Sequence, residues 1–204
     1  GSDANGHSYG SDTPGGTPDN INGKESDRED RRQEVAAAQP KGEKNVNTLD
    51  EVSNKRIAEL HQEIRDDVVK FVNKVYIDQG IQIRVTQGFR SFAEQNKLYS
   101  YGRTVQNPNP GAKPTKEHPL GPPVTQAKGG QSVHNYGAAI DIQKPPYGAN
   151  TPKIDKKTAD VAKQLGFKWG GDWQGDFKDY PHFDNTLGYK DATELQTVAP
   201  NGGI

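Results

Sequence analysis

Four residues have the types and spacing for hydrolytic chemistry: His134, Asp141, Asp179 and His182. His134 and Asp141 close the run Ser132-Val133-His134-Asn135-Tyr136-Gly137-Ala138-Ala139-Ile140-Asp141, in which a glycine turn leads into a short apolar stretch that ends on the carboxylate. Asp179 and His182 lie close together in Asp179-Tyr180-Pro181-His182-Phe183. Two imidazoles and one carboxylate form an ordinary ligand set for one hydrolytic zinc, with a coordination position left for water. The other carboxylate would then be available as a base. The chain has no cysteine, so any metal must be held by His and Asp or Glu.

These residues need elements to position them. Ile57, Leu60, Ile64, Val68, Phe71, Val72 and Val75 recur at helical spacing, predicting one helix over 53–78 with Ser53 as its N-cap and Gly80 as its stop. His61 adjoins that apolar face and reads as a boundary histidine rather than a ligand. Alternation over 81–86 predicts a half-buried strand. Ser91 and Glu94 then have the spacing of a capping box, opening a helix over 92–101 that stops at Gly102. Arg90 falls at this strand-to-helix junction, where side chains often face a cleft.

Residues 104–131 form a long loop rich in Pro and Gly, and His118 reads as a loop histidine. Ala138 to Ile142 suits a buried strand carrying Asp141. A helix is expected over 155–165, ended by Gly166, and short strands over 167–169 and 182–184. The second of these would bring His182 beside His134 and Asp141. A last short helix spans 191–196. Strands and helices mix without a βαβ repeat, so the expected class is α+β, a small, mostly antiparallel sheet flanked by helices with the zinc site on the sheet.

Composition limits the rest. Of 204 residues only 30% are hydrophobic, with 23 Gly and 14 Pro, too polar for a domain of that full length. Residues 1–48 are therefore expected to be a disordered tail or tether, with one short helix over 30–38. The catalytic domain is expected over 49–198, and 199–204 form a C-terminal end. The net charge of -1 gives no basic surface for nucleic acid, and no run of apolar residues is long enough to span a membrane. Gly1-Ser2 without an initiator methionine reads as a trimmed start, so a leader or lipid anchor is expected to have preceded it.

The two motifs together resemble the zinc peptidases that cut bacterial cell-wall peptides. That group includes phage and bacterial L-alanyl-D-glutamate peptidases and the D-alanyl-D-alanine carboxypeptidases of the vancomycin-resistance type. Its signature is Ser-x-His-x-x-Gly-x-Ala-x-Asp, followed by a carboxylate three residues before a second His. The resemblance extends to Gln87-Gly88-Phe89-Arg90-Ser91 with Glu94-Gln95, to Tyr99 through Gly102-Arg103, to Lys128-Gly129-Gly130 and to Gly166-Phe167-Lys168-Trp169-Gly170-Gly171-Asp172-Trp173. It covers roughly 53–196.

The resemblance implies that His134, Asp141 and His182 hold one Zn2+. It makes Asp179 the general base, with Asp176 as nearest rival, and Arg90 the residue that steadies the substrate carbonyl and its oxyanion. Ser132, Gln95 and Tyr136 are expected to bind substrate, while Trp169 and Trp173 suit either a groove or the core. An aspartate at the base position and the Trp-Gly-Gly-Asp-Trp run favour the L-alanyl-D-glutamate branch. A carboxypeptidase of the same fold and a non-catalytic wall-binding domain are the alternatives. The implied partner is the peptidoglycan stem peptide, met by a monomer outside the cytoplasm, in the cell envelope or secreted. Neither nucleic acid nor a nucleotide cofactor is expected.

Overall fold

The computed structural model describes residues 47–202. The helix expected over 30–38 and nearly all of the expected tail lie outside the described residues.

Where the sequence predicts one helix over 53–78, the structure has two, α1 (Glu51–Ile57) and α2 (Gln62–Gln79). Asp50, not Ser53, caps α1: its Oδ2 accepts from the Ser53 backbone N–H (3.2 Å) and hydroxyl (2.7 Å). Arg84 also forks onto Asp50, with Nε and Nη2 donating to its two oxygens at 2.9 and 2.7 Å. Ser53 is buried, and its hydroxyl accepts from the Val85 N–H at 2.9 Å. The α1 start is thus fixed to the strand beside it by a buried, bidentate ion pair.

The break at Ala58–His61 has a tertiary cause. The His61 N–H leaves the helical ladder and donates to the Gly137 carbonyl at 2.9 Å. A Cβ on Gly137 would stand 2.6 Å from that nitrogen, and Gly137 has φ +66°, so only glycine suits this approach. His61, expected at a helix boundary, restarts the chain as the α2 N-cap, its Nδ1 accepting from the Glu63 N–H.

The sheet comprises β1 (Arg84–Gln87), β2 (Ala139–Gln143), β3 (Lys168–Trp169) and β4 (His182–Asp184), in the order β1-β2-β4-β3 with every pair antiparallel. Helix α3 (Phe92–Ser100) follows β1, α4 (Lys156–Gln164) precedes β3, and α5 (Ala192–Val198) lies near the C-terminal end. The α+β class is borne out. The Ser91–Glu94 capping box is present with both of its hydrogen bonds. The strand expected over 81–86 pairs only from Arg84, and Ile81 to Ile83 lead into it unpaired.

Alternation decides which side chains meet. Ile140 and Ile142 of β2 and Phe183 of β4 join Val68, Phe71, Val72 and Val75 of α2 in the main core, with Phe71 and Phe183 ring centres 5.1 Å apart. Asp141 on β2, and His182 and Asp184 on β4, therefore point to the opposite face. Register aligns them further: Asp141 pairs with His182 and Ala139 with Asp184. A second cluster around Val133, Tyr136, Ala138, Ala139 and Leu195 supports the His134 turn. Residues 105–131 contain no helix or extended strand, as expected. This segment is pinned nonetheless, with Asn107 buried and its side chain donating to the Pro122 carbonyl.

Candidate metal centre and active site

His134 lies on a single 3₁₀ turn, Val133–Tyr136, started by Ser132, whose hydroxyl accepts from the His134 N–H. Gly137 closes the turn. The imidazole Nδ1 lies 2.8 Å from the Gly88 carbonyl oxygen. A carbonyl can only accept, so Nδ1 carries the hydrogen and Nε2 is left with its lone pair. His182 is fixed in the opposite sense. Its Nε2 lies 2.7 Å from Asp184 Oδ2, which leaves Nδ1 as its ligand atom.

These choices converge. His134 Nε2 and His182 Nδ1 each stand 3.5 Å from Asp141 Oδ1, and the three ligand atoms all fall within 4.8 Å of one another. Ligands at about 2.1 Å on a tetrahedral zinc would stand about 3.4 Å apart. Asp141 Oδ1 and His182 Nδ1 are buried without a hydrogen-bond partner. Buried polar atoms are normally satisfied, so two orphans facing each other fit a cation between them. The donor set, two imidazoles and one carboxylate, suits zinc.

The charges respond to this crowding. Burial alone would pull the His182 imidazole down, but Asp141 and Asp184 on either side outweigh it and push it up to about 10. Burial would raise Asp141, yet the two imidazoles hold its carboxyl well below the usual range. His134 is lowered by burial and then by the Arg90 charge, which keeps its imidazole neutral as a ligand must be. In the metal-free chain the raised His182 value means that its proton contributes stability fully present below the ordinary imidazole value, near 6.5, and lost as pH climbs through about 10. A zinc ion held at Nδ1 would take the place of that proton. Chelated protein is therefore expected to lose more thermal stability than zinc-loaded protein between pH 7 and 10, as read from paired melting curves. Equal losses would show that the proton does not occupy the metal's place.

Asp184 was not singled out from the sequence. The available signal was its position two residues after His182, on the same strand face. A carboxylate on the far nitrogen of a metal-binding histidine orients the ring and raises its basicity. Asp184→Asn is expected to weaken zinc binding about 10- to 100-fold while the fold is retained, as measured by competition with a chelating dye. An unchanged affinity would remove Asp184 from the centre.

Asp179 and Arg90 are each joined through the backbone to one of these candidate ligands, His182 and His134 respectively. Asp179 is 2% exposed, and its carbonyl accepts from the His182 N–H. Its N–H donates to the Gly170 carbonyl at 3.0 Å. A Cβ on Gly170 would stand 2.2 Å from the Asp179 oxygen, so glycine is what lets the two backbones meet. Asp176, the rival base, is exposed. Arg90 is 3% exposed, its N–H donates to the His134 carbonyl, and its Nη1 donates to Gln95. Trp173 is half-buried with its ring centre 5.1 Å from that of His182, whereas Trp169 is buried and stacks on Phe183. The first is a site residue and the second belongs to the core.

Ser132, Gln95 and Tyr136, expected to meet substrate, are buried and engaged within the protein. Ser132 caps the His134 turn, Tyr136 donates to the Gly130 carbonyl at 2.6 Å, and Gln95 bonds Arg90 and Ala127. His118 is exposed on its loop and does not belong to the His134, Asp141 and His182 group.

Residues 125–185, which hold all three candidate ligands and Asp179, match the peptidase M15 family model described as D-alanyl-D-alanine carboxypeptidase. The chain is 43% identical over 119 residues to the peptidoglycan L-alanyl-D-glutamate endopeptidase CwlK of Bacillus subtilis strain 168, a match covering 52% of this chain and 62% of that protein. It is 42% identical over 65 residues to the L-alanyl-D-glutamate peptidase of Listeria phage A118, covering 29% of this chain and 23% of that one. The match thus spans less than two thirds of either relative. Among solved structures, the Serratia marcescens L-Ala D-Glu endopeptidase ChiX aligns over 66% of this chain and 86% of its own, at 19% identity and a TM-score of 0.43. The resemblance to cell-wall peptidases read from the sequence is borne out.

Proposed function

We propose that this chain is a zinc peptidase that hydrolyses the peptidoglycan stem peptide at the bond between L-alanine and D-glutamate. The observation that carries the reading is the convergence of His134 Nε2, Asp141 Oδ1 and His182 Nδ1, with two orphaned buried atoms among them. The choice of bond rests on likeness to the Bacillus and phage proteins, both named for it.

Bound at these three residues, zinc would supply a Lewis acid that polarises a carbonyl and makes water acidic enough to attack near neutral pH. The chain's own groups do the rest. Asp179 accepts the proton of the attacking water and passes it to the departing amine. Arg90 donates through its guanidinium to the carbonyl oxygen as negative charge gathers on it. Asp184 and the Gly88 carbonyl hold the two imidazoles in the orientation that presents the correct nitrogen. Trp173 covers one side of His182 and gives an apolar wall for substrate.

The second reading is a D-alanyl-D-alanine carboxypeptidase, favoured by the description of the matched family. Both readings place the protein outside the cytoplasm, acting on the wall as a monomer with one zinc. Mass spectrometry of peptidoglycan fragments after incubation separates them. Glycans capped by L-alanine with peptides beginning at D-glutamate are expected. Release of terminal D-alanine instead would move the chain to the carboxypeptidase branch. The absence of any zinc-dependent product would leave a wall-binding domain.

A further inference from the structure

Arg90 is a charged group at 3% exposure, and its position is fixed from three directions. Its N–H donates to the carbonyl of His134 at 3.0 Å. Its own carbonyl accepts from Asn135 Nδ2 at 2.9 Å. Its Nη1 donates to Gln95 Oε1 at 2.8 Å. The first two bonds tie the Arg90 backbone to the turn that carries a metal ligand. The third ties the guanidinium to helix α3.

Gln95 is fully buried, and both ends of its amide are used. Nε2 donates to the Ala127 carbonyl at 2.9 Å while Oε1 receives Arg90. This arrangement has a single polarity. Turning the amide over would set two donors against each other at Arg90 and two acceptors at Ala127. Asn135 is fixed as strictly, since its Oδ1 accepts from the N–H groups of Gly130 and Ser132. The buried amide of Gln95 thus locks one edge of the Arg90 guanidinium, and Asn135 locks its backbone.

We infer that Gln95 is a positioning residue that acts through Arg90, holding the guanidinium at a set distance and angle from the metal-binding turn, rather than a group that binds substrate itself. The inference rests on the proposed function insofar as Arg90 is the donor to the reacting carbonyl. A guanidinium held in place in a buried site needs no reorganisation when charge develops, and this is where such donors gain most of their effect. Loss of the anchor would let Arg90 adopt several poses, and a misplacement of about 1 Å can cost up to about 10²-fold in rate.

The test is a double-mutant cycle with a spectroscopic readout. Gln95→Met keeps the length and removes all three side-chain hydrogen bonds, to Arg90, Ala127 and Asn135, whereas Gln95→Glu keeps an acceptor for Arg90 and Asn135. On a stem-peptide substrate Gln95→Met is expected to lower kcat by about 10- to 100-fold with KM little changed and one zinc retained, and Gln95→Glu is expected to recover part of that loss. In the Arg90→Ala background the Gln95→Met change should add almost nothing. In parallel, the Nη–H signals of ¹⁵N-arginine-labelled protein should show a restricted Arg90 guanidinium in the wild type and in Gln95→Glu, and a measurably more mobile one in Gln95→Met. Additive losses, or a rise in KM alone, would overturn the inference in favour of direct substrate contact, as would an Arg90 signal unchanged in Gln95→Met. If the wild type cleaves no peptide, the functional reading fails, and the Arg90 signals still decide whether Gln95 holds it.

Discussion

Asp179→Asn should retain one zinc per chain and lose about 10²- to 10⁴-fold in turnover, the usual contribution of a positioned general base. Asparagine has nearly the same shape and can still occupy the pocket. It cannot accept the proton of the attacking water. The side chain is 2% exposed, and its backbone is fixed at both polar groups, to Gly170 on one side and to the N–H of His182 on the other. The Asp179 backbone is therefore tied to the same strand start that delivers the candidate ligand His182. Asp176→Asn is the matched control. Asp176 is exposed and should tolerate the change with activity near wild type. Kinetics on a defined stem peptide, with zinc content measured on the same samples, gives the answer. Equal activity in Asp179→Asn and wild type would transfer the base role elsewhere. Retained wall-peptide binding without turnover in the wild type itself would support the binding-domain reading.

His182→Ala should abolish both zinc binding and hydrolysis, a larger effect than loss of the base. The substitution removes one of three ligands and leaves Asp141 and Asp184 facing each other across the vacated space, two buried carboxylates without the imidazole that now separates them. Asp184 is held low mainly by that imidazole, and Asp141 by His134 first and His182 second, so each should take up protons more readily once His182 is gone. Zinc that binds only the folded chain stabilises it by mass action, about 2.7 kcal/mol at a free concentration 100 times the Kd. Added zinc should therefore raise the melting temperature of the wild type and leave that of His182→Ala unmoved. A zinc-induced shift that survives in His182→Ala would place the metal at other residues.

Much of this site could be read from the sequence because strand periodicity carries the information. Once Ala138 to Ile142 and His182 to Asp184 are taken as strands, residues two apart must share a face, so Asp141 is separated from Ile140 and Ile142, and His182 from Phe183. What the pattern does not contain is register, and it is register that sets Asp141 opposite His182. The same strand reading could have flagged Asp184, since it shares the His182 face.

Other features depend on contacts between distant segments. The apolar spacing from Ile57 to Val75 continues through the break at Ala58–His61, and Leu60 is buried on either reading. Only the approach of Gly137 shows why the helix is interrupted there. Asp50 became the α1 cap because Arg84 holds it from β1, a partner with no local signal. Ser132, Gln95 and Tyr136 have side chains suited to touching substrate, and the sequence does not reveal that the protein uses them internally, on His134, Arg90 and Gly130 respectively. Gly170 likewise reads as a turn glycine, although its role is to let the Asp179 backbone approach.

The most direct measurement is stoichiometric reconstitution. The protein is stripped of metal with a chelator, zinc is returned in measured fractions of an equivalent, and cleavage of a peptide containing the L-alanyl-D-glutamate bond is followed at each step. Activity should be absent in the stripped protein, rise in proportion to zinc and level off at one equivalent per chain, with no recovery in His182→Ala. Full activity after chelation, or a rise that continues well past one equivalent, would contradict a single catalytic zinc held by His134, Asp141 and His182.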